Sequence, residues 1–205
     1  MSDKMAVPVK LNLGCGGKSF IDCINVDINP RWNPDIAVDM SDPELLSRSF
    51  MTQRFGSFQF TRDSLTEIVA YDILEHVVHL VPLMTNCLNL LQEGGLFRIS
   101  VPYDLSLGAW QDPTHVRGFN EQSWTYFTTL YAYLGWNEAC FDPAEKYMIM
   151  SAWGQTLQAS GQMSQEEIIR QPRAIDSMIV MLRKRYLTAT EKEQVGIETR
   201  TRFVY

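Results

Sequence analysis

The chain has 205 residues, enough for one sizeable core and short for two domains. Hydrophobic residues make up 45% and charged residues 20%, and 18 Lys and Arg against 24 Asp and Glu leave a net charge of −6. That balance argues against a broad nucleic-acid or anionic-membrane surface, since both need a basic patch.

The opening MSDKMAVPVK lacks an apolar core of signal-peptide length, and no segment reaches the ~20 apolar residues of a membrane helix. The expectation is a protein with no membrane partner. Cys15, Cys23, Cys87 and Cys140 form no CxxC pair and sit near no histidine cluster, which speaks against zinc and disulfide frameworks and for a reducing cytoplasm.

In chain order, strands are predicted at Val9–Leu13, Ile24–Asp27, Ile36–Val38, Glu67–Tyr71 and Leu96–Val101. Their near-continuous aliphatic character fits strands covered on both faces of a parallel sheet. VPLMTNCLNLLQEGG reads as a helix, with Pro82 in its first turn, Leu83, Cys87, Leu90 and Leu91 at helical spacing, and Gly94 and Gly95 as its stop.

Beyond that, GFNEQSWTYFTTLYAYLGW reads as an aromatic-rich helix and EKYMIMSAW as a strand. SQEEIIRQPRAIDSMIVMLRKR reads as one or two helices broken near Pro172, ending in the solvated cations Arg183, Lys184 and Arg185, and GIETRTRFVY as a closing strand. All of it continues one sheet, so residues 1–205 are expected to form a single α/β domain.

The stretch KLNLGCGGKSFIDCINVDI carries the first functional signal. Gly14, Gly16 and Gly17 after a buried strand allow a sharp turn and close approach of a ligand to the peptide groups. Ser19 stands where a dinucleotide fingerprint needs its third glycine, and Asn12 where a Walker A loop needs its first. Asp27, closing the second strand, faces the same crevice in a doubly wound sheet and suits ribose hydroxyls. Asp39 closes the third run and suits an adenine amino group. Together they describe a nucleoside site without a pyrophosphate; the glycines alone would mean only a tight turn.

LNLGCGG, NVDI, IAVDM, YDILEHV and LLQEGGLFRISVP, in that order, resemble class I S-adenosylmethionine-dependent methyltransferases, over roughly Lys10 to Pro102. The spacing is similar to a compact subgroup with a D-P-T-H segment after the fifth strand, here QDPTHVRGFN. The resemblance implies a Rossmann-like, doubly wound sheet of seven strands, mostly parallel with the last antiparallel. It implies S-adenosylmethionine as cofactor, with its methionine end near Gly14, Cys15 and Gly16, ribose at Asp27 and Ile28, and adenine near Asp39 and Met40. Tyr71 and Asp72 would border the methyl-transfer region. One departure stands out: nine residues separate Gly17 from Asp27, too few for the usual crossover helix.

Methyl transfer from a sulfonium asks the protein to align a nucleophile and, for a hydroxyl or ammonium, to help remove its proton. Of three histidines, His79 reads as structural or surface, and His76 with Glu75 as either orienting the loop or touching substrate. His115 is the preferred base, since an imidazole moves protons near neutral pH, with Asp112 to orient it and Arg117 as an anion contact. The alternative is an Asp-initiated turn and nothing more. Tyr103 suits a substrate contact or a wall. Trp110, Trp124, Tyr126 and Phe127 suit an acceptor pocket, although Phe119, Trp124 and Phe127 at helical spacing suit a core better. Nothing in the spacing of Asp72, Glu75, His76, Asp112 and His115 demands a metal, and none is assigned.

The leading expectation is methyl transfer, oxygen before nitrogen, to a small-molecule or sugar acceptor. Aminopropyl transfer on the same fold is a rival that the DPTH segment does not favour. A non-catalytic, partner-dependent binding subunit is another; Met178, Ile179, Met181 and Leu182 would pack against another subunit, as in a homodimer, or cap their own sheet. A nucleic-acid methyltransferase ranks low, because no N/D-P-P-Y/F signature follows Tyr71 and the charge is wrong.

Overall fold

A computed structural model describes residues 9–202. Three short strands open the chain: β1 (Lys10–Leu13), β2 (Ile24–Asp27) and β3 (Ile36–Ala37). A hairpin follows, β4 (Ser49–Thr52) with β5 (Gly56–Gln59), then β6 (Leu65–Tyr71), helix α1 (Leu80–Leu90) and β7 (Leu91–Pro102). The remainder holds α2 (Gly108–Gln111), α3 (Thr125–Thr128), β8 (Ala139–Met150), α4 (Ala152–Ser160), α5 (Gln165–Ile169), β9 (Ile175–Tyr186) and α6 (Ala189–Arg202).

Seven strands form one sheet in the order β3-β2-β1-β6-β7-β9-β8. The first five run parallel, and β9, last in the chain, is antiparallel to both β7 and β8. The expected doubly wound sheet with its antiparallel last strand is thus the observed one. The chain moves outward from β1 to β3 and returns to β6 beside β1. The carboxyl ends of β1 and β6 therefore diverge into connections on opposite sides, which is where such sheets form ligand crevices.

No helix joins β1 to β2, as their short separation required. Side chains take its place. The paired strand residues Asn12 and Asn25 are both buried. Asn12 Nδ2 donates to Asn25 Oδ1 at 3.0 Å and to the Lys18 carbonyl at 2.8 Å, and Asn25 Oδ1 accepts from the Phe20 amide at 2.8 Å. Arg54, ahead of β5, donates to Asp35 Oδ2 at 2.9 Å and to the Cys23 carbonyl at 3.1 Å.

Helix α1 buries Leu83, Met84, Cys87 and Leu90 against the sheet, and Pro82 sits in its first turn, where a missing N–H costs no helical bond. The helix ends at Leu90, ahead of the two glycines. They lie in a bulge of β7 instead, where the pairing jumps from Leu65↔Leu91 to Glu67↔Leu96 and Gly94 takes φ +77°.

The C-terminal third departs most from expectation. The aromatic stretch yields only α3 and a 3-10 turn at Tyr131–Leu134. The segment 175–186, expected to be helical, is the strand β9, with Met178, Val180 and Leu182 buried. That removes Met178 and Leu182 from any surface for a second subunit. Lys184, expected in solvent, is 3% exposed and donates to Asp63 Oδ1 at 2.6 Å and the Leu91 carbonyl at 2.7 Å. Residues 196–202 of the expected closing strand continue helix α6, and 203–205 lie outside the described residues, as do 1–8. The four cysteines are free and buried, and among the described residues no helix is long and apolar enough to cross a membrane.

Candidate active site

A cleft of about 320 Å³ opens at the carboxyl ends of β1, β2, β3 and β6. Gly14, Asp27, Ile28, Asp39 and Met40 border it, five of the nine residues expected to hold the cofactor. The opposite wall comes from the loop after β6 and the start of α1: Ile73, His76, Val77, Val78, His79 and Leu83.

Gly14 meets two demands at once. Its φ is +65°, and a Cβ there would stand 2.4 Å from Ile73 Cγ1, so the two loops touch where a side chain would wedge them apart. Cys15 turns inward, its amide donating to the Val26 carbonyl at 3.0 Å, and burial pushes its thiol up to about 11. It is a packing residue with no surface on the cleft.

Asp27 is 8% exposed, and its Oδ2 accepts from the Gly16 amide at 2.9 Å while Oδ1 accepts from the Asn29 amide at 2.8 Å. A carboxylate offers about four lone-pair sites. Two bonds to the protein fix its plane and leave about two sites for a ligand. Asp39 is held similarly: its Oδ1 accepts from the Ser41 amide at 2.8 Å and hydroxyl at 2.7 Å. Buried Asn86 of α1 steadies that loop by donating to the carbonyls of Met40 (2.9 Å) and Asp42 (2.8 Å).

Tyr71 and Asp72 are exposed and lie off the cleft wall. Asp72 adopts φ +53°, with its amide donating to the Ser100 carbonyl at 2.9 Å, so β6 bends sharply into the next loop.

The DPTH segment packs on that loop. It belongs to an excursion closed at its base by a Tyr103↔Phe119 bridge. The Val116 amide donates to the Glu75 carbonyl at 2.8 Å, and Arg117 Nη2 donates to the carbonyls of Val77 (2.7 Å) and Val78 (2.9 Å). Arg117 is therefore a clamp on the cleft wall. The His76 and His115 rings meet edge to face, centroids 4.6 Å apart.

The hydrogen bonds settle both imidazole tautomers. His115 Nδ1 lies 2.8 Å from the Ala109 carbonyl, which can only accept, so Nδ1 carries the proton. Thr114 Oγ1 donates to Asp112 Oδ1 at 2.7 Å and so receives the Nδ1 proton of His76 at 2.9 Å. That leaves the Nε2 of each ring as the nitrogen open to another partner. Asp112 thus acts through Thr114, and the group orienting His115 is the Ala109 carbonyl, a correction to the expected Asp112–His115 pair. The turn geometry explains it: the Asp112 carboxylate also caps the Thr114 amide at 2.8 Å.

Glu75, between these groups, is 1% exposed, and neither carboxylate oxygen has a hydrogen-bond partner. Burial pushes it up to about 7, with the charges of Asp72 and Asp112 adding and His115 opposing.

The aromatic residues divide. Phe119 stacks on Trp124 at 5.4 Å and Phe127 packs on Trp136, all buried, whereas Trp110 and Tyr126 are exposed. Tyr103 is buried, its hydroxyl bound to Glu121 at 2.8 Å.

No protein-family profile matches this sequence, and no curated protein does. Solved structures do match. An Archaeoglobus fulgidus S-adenosylmethionine-dependent methyltransferase is 17% identical, with 87% of this chain and 86% of that one covered at a TM-score of 0.56. This chain has the class I methyltransferase fold. A second match, from the complex between the Haloferax volcanii Trm112 methyltransferase activator and a methyltransferase, is 12% identical over 89% and 85% of the chains, TM-score 0.52. A third is the [4+2]-cyclase SpnF, 12% identical over 87% and 75%, TM-score 0.52. A cyclase among the neighbours means that the fold leaves the chemistry to the site.

Sequence reasoning missed the apolar wall: Ile73, Val77, Val78 and Leu83, with His79 exposed beside them. The available signal was their position, immediately after a strand whose carboxyl end faces the crevice.

Proposed function

We propose that the protein is an S-adenosylmethionine-dependent methyltransferase that acts on a hydroxyl of a small molecule or glycan. One observation carries the reading: Asp27, a buried carboxylate oriented by two backbone amides, borders an apolar-walled cleft of about 320 Å³ with lone pairs to spare. Those acceptor sites fit the two hydroxyls of a ribose diol, and the volume lies in the range of ligand pockets. When bound, the cofactor supplies a methyl group already activated on a sulfonium sulfur.

The chain's own residues then divide the work. Asp27 holds the ribose hydroxyls and Ile28 covers them. Asp39, with Oδ2 free of Ser41, receives the adenine amino group beside Met40. Gly14 and Gly16 give the methionine end access to backbone, with Cys15 fixing the turn behind them. Tyr71 and Asp72 edge the region where the acceptor approaches. His115, its Nδ1 proton committed to Ala109, turns the lone pair of Nε2 to the removal of the acceptor's proton.

A second reading has one observation in its favour, the likeness to a chain solved with the Trm112 activator. Under it the protein binds the cofactor and acts through a protein partner.

Calorimetric titration with S-adenosylmethionine and its demethylated product tests the cofactor site. Wild type binds both; Asp27→Asn, which keeps the shape but loses the charge, binds at least ~10-fold more weakly, the worth of a charge-assisted hydrogen bond. A folded wild type that binds neither ligand would end the methyltransferase reading.

A further inference from the structure

Glu75, His76 and His115 each offer one ligand-type atom, and these atoms lie within 4.8 Å of one another. Two ligands bound at ~2.1 Å to a common ion stand about 3–4 Å apart, so side-chain rotations of under ~2 Å close the set. A second, independent feature points the same way. The Glu75 side chain is buried with both oxygens unpartnered, a state that native interiors rarely tolerate without a cation or a donor.

The histidines are also prepared. Each has its Nδ1 proton tied down, by the Ala109 carbonyl for His115 and by Thr114 backed by Asp112 for His76. Such outer hydrogen bonds fix the tautomer and orientation of metal-ligating imidazoles. Backbone and guanidinium bonds from Val116 and Arg117 hold the two loops together independently of any ion.

We propose that Glu75, His76 and His115 bind a divalent transition-metal ion at the edge of the cofactor cleft, and that the open positions of the ion receive the acceptor's hydroxyl oxygen. Two imidazoles and one carboxylate suit Zn²⁺, Co²⁺, Ni²⁺, Mn²⁺ or Fe²⁺ better than Mg²⁺ or Ca²⁺. This rests on the methyl-transfer reading and specifies it: the acceptor is an oxygen nucleophile, and His115 promotes its deprotonation as a metal ligand. The acceptor's O–H bond breaks on the ion and the proton passes to solvent water. The oxygen lone pair forms the new O–CH₃ bond while the S–CH₃ pair returns to sulfur, leaving a neutral thioether and an unchanged ion.

The test uses the chelator-stripped protein titrated with Co²⁺, followed by visible absorption, and with Zn²⁺, followed by calorimetry. Wild type takes up one ion per chain; Glu75→Gln and His115→Gln each weaken uptake by at least ~100-fold, and Thr114→Val by ~10-fold as an outer-hydrogen-bond change. S-adenosylmethionine binding, measured separately on the same Glu75→Gln protein, persists, so that a failure of the metal site and a failure of the cofactor site are told apart. No uptake by folded wild type, uptake unchanged in both Glu75→Gln and His115→Gln, or full methyl transfer by the stripped enzyme would each overturn the proposal. The last would return His115 to the role of direct base.

Discussion

Gly14→Ala offers the sharpest test of how the cleft is built. Its alanine Cβ would lie 2.4 Å from Ile73 Cγ1, 2.7 Å from Cδ1 and 2.9 Å from Cβ. Ordinary contact begins about an ångström farther out, so either the glycine loop or the Ile73 loop must retreat. Overpacking of this kind costs ~1–3 kcal/mol. The backbone adds ~1–2 kcal/mol, because φ is +65° and an L side chain is strained there. The expected loss is ~2–5 kcal/mol, read from urea unfolding followed by far-ultraviolet circular dichroism. Ile73→Ala removes Cγ1 and Cδ1, the nearer atoms. In Gly14→Ala/Ile73→Ala the overpacking share falls to the one remaining contact, with the Ile73 Cβ at 2.9 Å, while the backbone share stays, so the double variant is more stable than the sum of single losses by ~1–2 kcal/mol. Strict additivity within ~0.3 kcal/mol would mean that the two loops do not bear on each other, and the account of the cleft's closed end would fail.

Three further outcomes follow from the same geometry. Asp63→Ala strands the buried Lys184 ammonium with only the Leu91 carbonyl as acceptor and should cost ~2–4 kcal/mol. Lys184→Met leaves Asp63, 42% exposed, free to reach water and should cost under ~1 kcal/mol; equal losses on urea unfolding would refute the asymmetry. Asn86→Ala frees the Met40–Asp42 loop from α1 and should weaken calorimetric S-adenosylmethionine binding ~5–10-fold while α1 itself stays folded. Glu191 is held at about 2, below the usual carboxylate range, chiefly by its hydrogen bond to Arg185. The unfolded chain therefore takes up that proton first, and up to ~1 kcal/mol of stability, present above pH ~4.5, is lost as pH falls towards 2. Glu191→Gln should flatten that part of the pH–melting curve.

The parallel half of the sheet was legible because strands buried on both faces leave continuous aliphatic runs. β9 is buried on one face and half-covered on the other, so its alternation of Met178, Val180 and Leu182 is filled in by Ile179 and Met181. With helix-forming Met, Leu, Arg and Lys throughout, that pattern imitates a helix. The error at the chain end ran the other way. GIETRTRFVY alternates like a strand, but the deciding signal lies upstream in Thr188-Ala-Thr-Glu191, a capping box in which the Glu191 amide donates to Thr188 Oγ1 at 3.3 Å and the Thr188 amide to Glu191 Oε2 at 2.8 Å. A helix start outranks alternation further along, because it fixes the backbone before the alternating residues are reached.

The site divides along the same physical line. Gly14, Asp27 and Asp39 sit at the ends of recognisable strands, so sheet topology alone brings them to one crevice. Glu75, His76 and His115 converge only because two irregular loops cross, and no periodicity encodes a crossing of loops. What encodes it is polar: Arg117 capping the carbonyls of Val77 and Val78, Val116 reaching the Glu75 carbonyl, Thr114 reaching His76. The loop they grip, residues 73–79, also supplies the cleft wall facing Gly14. Under the proposed reading, an acceptor that displaced the DPTH segment would act on the cleft through the loop that segment grips. The loop that lacks a crossover helix, held by Asn12 and Asn25, has no helical turn of its own to absorb the change. Coupling between acceptor and cofactor binding should accordingly run through Ile73, the residue that abuts Gly14 on one side and on the other lies two residues ahead of Glu75 and accepts from the His76 amide at 3.0 Å.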